Sequence, residues 1–195
     1  AVGGLLLKRR GERLDPVRAG TLVIQLGDVP AEGEFDPERL IRVQPRDNLE
    51  RYMVDPGDVL FRSRGERTTA LALGTELTEP ALAMSPLYVL RPDTTFLTAR
   101  FLAWTLNQVP AQRHFNASAL GTSIRMVPKS SLDSLTIDLP DLSVQHLIGS
   151  VDELAERQLS LTHQLADTSR RLVSAILTER AGNQSPDLSP ERTTK

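Results

Sequence analysis

Between Ser143 and Arg180 the chain has no proline and a single glycine, Gly149, and its apolar residues return at intervals of four and three. Leu147, Val151, Leu154, Leu161, Leu165, Leu172 and Ala175 carry this stripe, with Gln158 and Thr168 at its two remaining seam positions. A seven-residue repeat sustained for about four periods describes an amphipathic helix that lies against another helix. Asp152, Glu153 and Glu156 fall early in it and Arg170, Arg171 and Arg180 late, the order that the helix dipole favours. From residue 147 to 176 such a helix is roughly 45 Å long, at ~1.5 Å per residue. A small domain does not cover that length, so the seam needs a partner. Two polar seam residues suit the selection of a register better than burial in a core.

Before Pro140 the pattern is different. Thr21–Gln25, Asp58–Ser63 and Ser85–Pro92 are short β-branched or apolar runs bounded by Gly, Asp and Pro, and read as strands. Asp55–Asp58, "DPGD", is a turn signal directly before the second of them. Ala99–Gln108 places Phe101, Leu102, Thr105 and Leu106 on one helical face. Pro110 ends that helix or begins the next, which runs through "AQRHFNAS". Strands and helices without regular alternation predict an α+β fold. The expected organisation is a domain with a mixed β-sheet over residues 1–140, a long coiled-coil α-helix over 141–180, and a disordered tail over 181–195.

Catalytic signatures are missing. No phosphate-cradling glycine loop, nucleophile elbow or His-Glu-x-x-His stretch occurs, and the chain has no cysteine. His114, His146 and His163 are too scattered for a local ligand cluster, and no apolar run has the length of a membrane span. The expectation is a cytoplasmic, non-catalytic protein without metal or cofactor. A distant third reading, a metal-dependent hydrolase assembled from separated residues, is open to an activity screen with and without chelator.

Charge is distributed unevenly. Residues 1–130 hold 17 Lys+Arg against 15 Asp+Glu, and residues 131–195 hold 6 against 10. From Thr94 to Leu132 there is no acidic residue, while Arg100, Arg113, Arg125 and Lys129 are present. Three basic segments stand out: Lys8, Arg9, Arg10 and Arg13; then Arg62, Arg64 and Arg67 around Gly65; then Gly121–Lys129 with Thr122, Ser123, Arg125 and Lys129. On an extended segment Arg62 and Arg64 project together. Arginine with hydroxyls and backbone N–H groups is equipment for holding phosphates and reading guanine edges. A GC-rich genome also favours arginine, and each cluster alone is the composition of a solvated loop. Three clusters in the domain that holds the acid-free window point to nucleic acid. In this reading Gly121–Lys129 faces DNA, and Ser130–Leu135 is a short helix with Asp133 directed away.

The chain resembles one half of a DNA specificity subunit of type I restriction–modification systems. Four stretches carry the likeness in order: Val23–Val43, Tyr52–Gly65, Phe101–Phe115 and Gly121–Ile148. The resemblance implies a target recognition domain and a conserved helix that together direct a partner N6-adenine methyltransferase, and through it a nuclease, to a bipartite target in double-stranded DNA. It implies DNA contacts from Lys8, Arg9, Arg10, Arg62, Arg64, Arg67, Arg113, Thr122, Ser123, Arg125 and Lys129. It also implies an antiparallel homodimer seam of Leu147, Val151, Leu154, Gln158, Leu161, Leu165 and Leu172. Members of this family carry two recognition domains and two helices. This chain is therefore either a piece of a longer subunit or a half-subunit that pairs with itself. A reading from another class is a coiled-coil adaptor whose head binds protein, with no direct role at DNA.

Overall fold

The structure, a computed structural model, describes residues 2–3, 19–30, 35–44, 50–65, 67–119 and 125–182. In chain order the strands are β1 (Val2–Gly3), β2 (Thr21–Ile24), β3 (Ile41–Val43), β4 (Met53–Val54), β5 (Val59–Arg62), β6 (Thr69–Ala72), β7 (Ala81–Ala83) and β8 (Leu87–Leu90). The helices that follow are α1 (Ala99–Asn107), α2 (Val109–Ser118), α3 (Lys129–Asp133) and α4 (Leu142–Gly182). This is an α+β fold with a long C-terminal helix, as the sequence predicts. It divides into residues 1–156 and residues 157–195, and the described part of the second unit is the remainder of α4.

Among the described residues, the first unit contains two four-stranded sheets. One has the order β1-β8-β5-β6 and is antiparallel throughout. The other has the order β3-β2-β7-β4 and is mixed, because β2 and β7 run parallel between two antiparallel neighbours. Strand alternation explains how they pack. Leu22 and Ile24 of β2, Ala81 and Ala83 of β7, Leu60 of β5, and Leu87 and Val89 of β8 share one core. The alternate residues of β5, Val59 and Phe61, turn to the opposite face and meet α1 and α2 through Leu102, Leu106, Ala111 and Phe115. Phe61 and Phe115 are fully buried with ring centroids 4.9 Å apart at 60°. Burial of each such ring is worth ~2–3 kcal/mol, and the pair about 1 kcal/mol more.

Local chemistry sets the ends of these elements. In the Asp55–Asp58 turn, Gly57 has φ +98°, which is strained for a side-chain-bearing residue. The Asp58 amide donates to the Asp55 carbonyl at 3.0 Å, and the Gly57 amide to Leu73 at 2.8 Å. Thr98 caps α1 by accepting from the Phe101 amide at 3.3 Å. Pro110 is the second residue of α2, where its missing N–H removes no helical bond. On α1 the buried residues are Phe101, Leu102, Ala103 and Leu106. Thr105, expected on that face, is half-buried, and its hydroxyl has no partner.

The start of α4 is built into the first unit. Gln145 is fully buried, and its Oε1 accepts from the Thr98 amide at 2.9 Å. Its Nε2 donates to the carbonyls of Phe96 and Pro140, both at 2.8 Å. One turn later Gly149 lies so close to α1 that a Cβ there would sit 2.9 Å from the Arg100 Cβ. Arg100 then pairs with Glu153 at 2.9 Å. Residues 142–156 thus belong structurally to the domain, although the composition changes at Pro140. Of the expected tail, residues 181–182 close α4, and residues 183–195 lie outside the described residues.

Candidate nucleic-acid interface

Two of the three basic segments meet. Arg64 and Met126 form an antiparallel bridge between otherwise separate loops. The Val127 amide donates to the Ser63 carbonyl at 2.8 Å, and the Gly65 amide to the Arg125 carbonyl at 3.2 Å. With those bonds on either side, Arg64 and Met126 are a non-hydrogen-bonded pair, the close pairing in which both side chains stand on one face. Both are exposed, as is Arg125. The alternate residues Ser63 and Val127 are buried and anchor the bridge from beneath. Ser63 also donates its hydroxyl to the Pro86 carbonyl at 2.5 Å.

The predicted cations differ in what they do. Arg62 shares a face with Arg64, but its Nη1 donates to the Val29 carbonyl at 3.1 Å and its Nε lies 3.4 Å from the Arg64 carbonyl. Its guanidinium lies over Gly65, where an added Cβ would come within 3.3 Å of Nη2 and where φ is +132°. Arg62 therefore shapes the loop that presents Arg64. Arg67 and Arg113 are exposed. The hydroxyl of Thr68, next to Arg67, donates to Gln112 of α2 at 2.9 Å, tying this loop to the helix that carries Arg113. Lys129 pairs with Asp133 at 3.4 Å across one turn of α3. The short helix is present as expected, and on it Asp133 is the neighbour of Lys129, since residues four apart on a helix share a face. Lys8, Arg9, Arg10, Thr122 and Ser123 lie outside the described residues.

Met126 escaped the sequence reading. The signal for it was the alternation in Arg125-Met126-Val127, where a buried Val127 forces its neighbour outward. The acid-free window accounts for α1 and α2, neither of which has an acidic residue.

Three carboxylates elsewhere, Asp28, Asp58 and Glu79, are occupied structurally. Asp58 is held above the usual carboxylate range by burial, partly offset by the Asp55 amide and by Arg91, whose Nε is 3.4 Å from Oδ1. Burial also raises Asp28, against the Gln25 amide that donates to it at 2.7 Å. Arg42 donates to Gly20 at 2.9 Å and forms a two-pronged pair with Glu79, which clasps β3 to the segment before β7. Among the described residues His114 lies beside a hydroxyl, with its Nε2 2.9 Å from the Ser131 carbonyl and 3.3 Å from Ser134 Oγ. A carbonyl only accepts, so Nε2 carries the proton and is not placed to take one from Ser134. Among the described residues no group of three His, Asp or Glu side chains is placed to hold a metal ion. No described helix is long and apolar enough to cross a membrane.

The stripe on α4 is bare. Leu147, Val151, Leu154, Leu161, Leu165 and Leu172 are each at least 55% exposed, and Gln158 is exposed among them. Large apolar side chains exposed at seven-residue spacing are the pattern of helices that associate through one face. No family model matches the chain, and no curated protein is detectably similar to it.

Proposed function

We propose that the chain is a non-catalytic DNA specificity subunit that directs a partner N6-adenine methyltransferase, and with it a restriction nuclease, to a bipartite double-stranded target. It works as a homodimer joined through α4, in the cytoplasm. The observation that carries this reading is the Arg64–Met126 bridge, which unites two basic loops on a rigid, buried base next to two helices without acidic residues. Positive, donor-rich loops fixed to a sheet suit phosphate contacts for register and guanidinium contacts for base edges. The bare stripe of α4 supports the paired state, and the resemblance to type I specificity subunits supplies the methyltransferase.

The test is quantitative. In the complex reconstituted with its methyltransferase, Arg125→Ala or Arg64→Ala at a phosphate contact weakens all sequences alike and reduces the salt slope by about 1. At a base contact the same change relaxes selectivity at one position. Unchanged affinity and unchanged selectivity in the double variant reject the assignment.

A second reading, a coiled-coil adaptor with a protein-binding head, is favoured by one observation: Lys129 and Arg62 are already engaged within the chain. Affinity capture separates the two, because a specificity subunit retains a methyltransferase and duplex DNA together.

A further inference from the structure

We infer that Met126 is a specificity-determining residue of this site: it packs on the 5-methyl group of a thymine in the major groove, within one step of the base pair that Arg64 faces. The inference rests on the DNA-reading role proposed above and adds to it the kind of base edge that is read.

Single exposed apolar side chains are common on protein surfaces, and what sets this one apart is its support. Met126 is 41% exposed, whereas the next residue, Val127, is 1% exposed. The Val127 amide donates to the Ser63 carbonyl at 2.8 Å, and its carbonyl accepts from the Tyr88 hydroxyl of β8 at 3.4 Å. Across the bridge Ser63 is buried too, and the Gly65 amide reaches the Arg125 carbonyl at 3.2 Å. The backbone beneath Met126 is therefore held from both sides, and the outward direction of its side chain is fixed by the fold. Exposed Arg64 opposite it and exposed Arg125 before it supply the cations that draw a phosphate backbone to this point.

Width selects the groove. The bridge is two chains across, and a two-stranded ribbon enters the major groove, about 12 Å wide, but not the minor groove, about 6 Å wide. Along the major groove the base edges present donors, acceptors and one methyl group, that of thymine. Arginine satisfies the acceptors of guanine, whereas a thioether has no N–H or O–H to donate and is matched by the methyl group. In a non-hydrogen-bonded pair the two Cα atoms are about 4.5 Å apart, and successive bases are about 3.4 Å apart. Arg64 and Met126 thus address the same or adjoining base pairs, and the unbranched methionine side chain adjusts to the remaining offset.

The test uses the complex with its methyltransferase and duplexes bearing the motif it methylates, each thymine being replaced in turn by deoxyuridine. Deoxyuridine pairs as thymidine does and lacks only the 5-methyl group, and an adenine target guarantees a thymine in the motif. The wild-type complex is expected to bind one such duplex about fourfold more weakly, the worth of one buried methyl group. Met126→Ala is expected to abolish that preference, and Met126→Leu, still apolar, to keep it. Melting followed by Trp104 fluorescence checks that both variants are folded, as the exposed position predicts. Three results overturn the assignment while sequence selectivity itself stands: Met126→Ala still distinguishes thymine from uracil, Met126→Leu does not, or the wild-type complex is indifferent at every thymine. A complex without sequence selectivity on any duplex overturns the DNA-reading role, and this inference with it.

Discussion

Gln145 is the residue at which the attachment of α4 to the domain is most exposed to a single substitution. Its amide makes three hydrogen bonds from a fully buried position: one accepted from Thr98, two donated to Phe96 and Pro140. Gln145→Ala leaves all three backbone groups without their partner. At about 1 kcal/mol net for each bond, the loss is about 3 kcal/mol. For a domain of this size that lowers Tm by about 10 °C. The assay is thermal unfolding followed by fluorescence of the single tryptophan, Trp104, which lies on α1 and stacks on Phe101 at 5.6 Å. Gln145→Met separates hydrogen bonding from packing, because it conserves volume and supplies no amide. The account expects Met to be about as destabilising as Ala. A Met variant that restores wild-type Tm, or an Ala variant within about 3 °C of it, which is a loss of only about 1 kcal/mol, refutes the reasoning.

Three further outcomes follow from the geometry. Gly149→Ala ordinarily stabilises a helix by about 1 kcal/mol, but here its Cβ meets the Arg100 Cβ at 2.9 Å, so melting of the variant is expected to fall instead of rise. Leu161→Asp is expected to convert a dimer to a monomer in light scattering without altering Trp104 fluorescence, because Leu161 is 55% exposed and far from that core in sequence. Asp58 has its folded pKa raised by burial, so its contribution favours folding at low pH and is lost as pH climbs from about 4 through the raised value. Asp58→Asn should therefore flatten the stability–pH curve across that window in chemical denaturation.

The parts of this fold that were legible in the sequence are those where one physical signal dominates. The α4 stripe, the Asp55–Asp58 turn and strands β2, β5 and β8 all follow from periodicity or turn chemistry. Strands β6 and β7 did not, since "TALA" and "ALA" are alanine-rich and lack the β-branched residues that mark strands. Their pairing is imposed by neighbours: β7 is sandwiched between β2 and β4, and β6 lies along β5. The division into two sheets was invisible for the same reason. Residues 142–156 read as coiled coil, because the exposed Leu147, Val151 and Leu154 hide the buried Gln145 and Gly149 on the other side of the helix.

At the candidate interface the residue types were legible and their partners were not. Basic loops announce charge, but it is the fold that places Arg64 and Arg125 on bridged segments while tying Arg62 to Val29 and Lys129 to Asp133. Those couplings link residues close in sequence, as with Lys129, to residues far apart, as with Ser63 and Val127. The distant ones depend on the tertiary fold, which composition does not encode locally.

The central claim is that this chain chooses the DNA sequence at which an adenine methyltransferase acts. The most direct measurement is the genome-wide pattern of N6-methyladenine in the host with the gene intact, deleted and restored. The account predicts that one bipartite motif, with inverted halves if the homodimer is the working form, loses methylation on deletion and regains it on restoration. A methylation pattern identical in all three strains contradicts it.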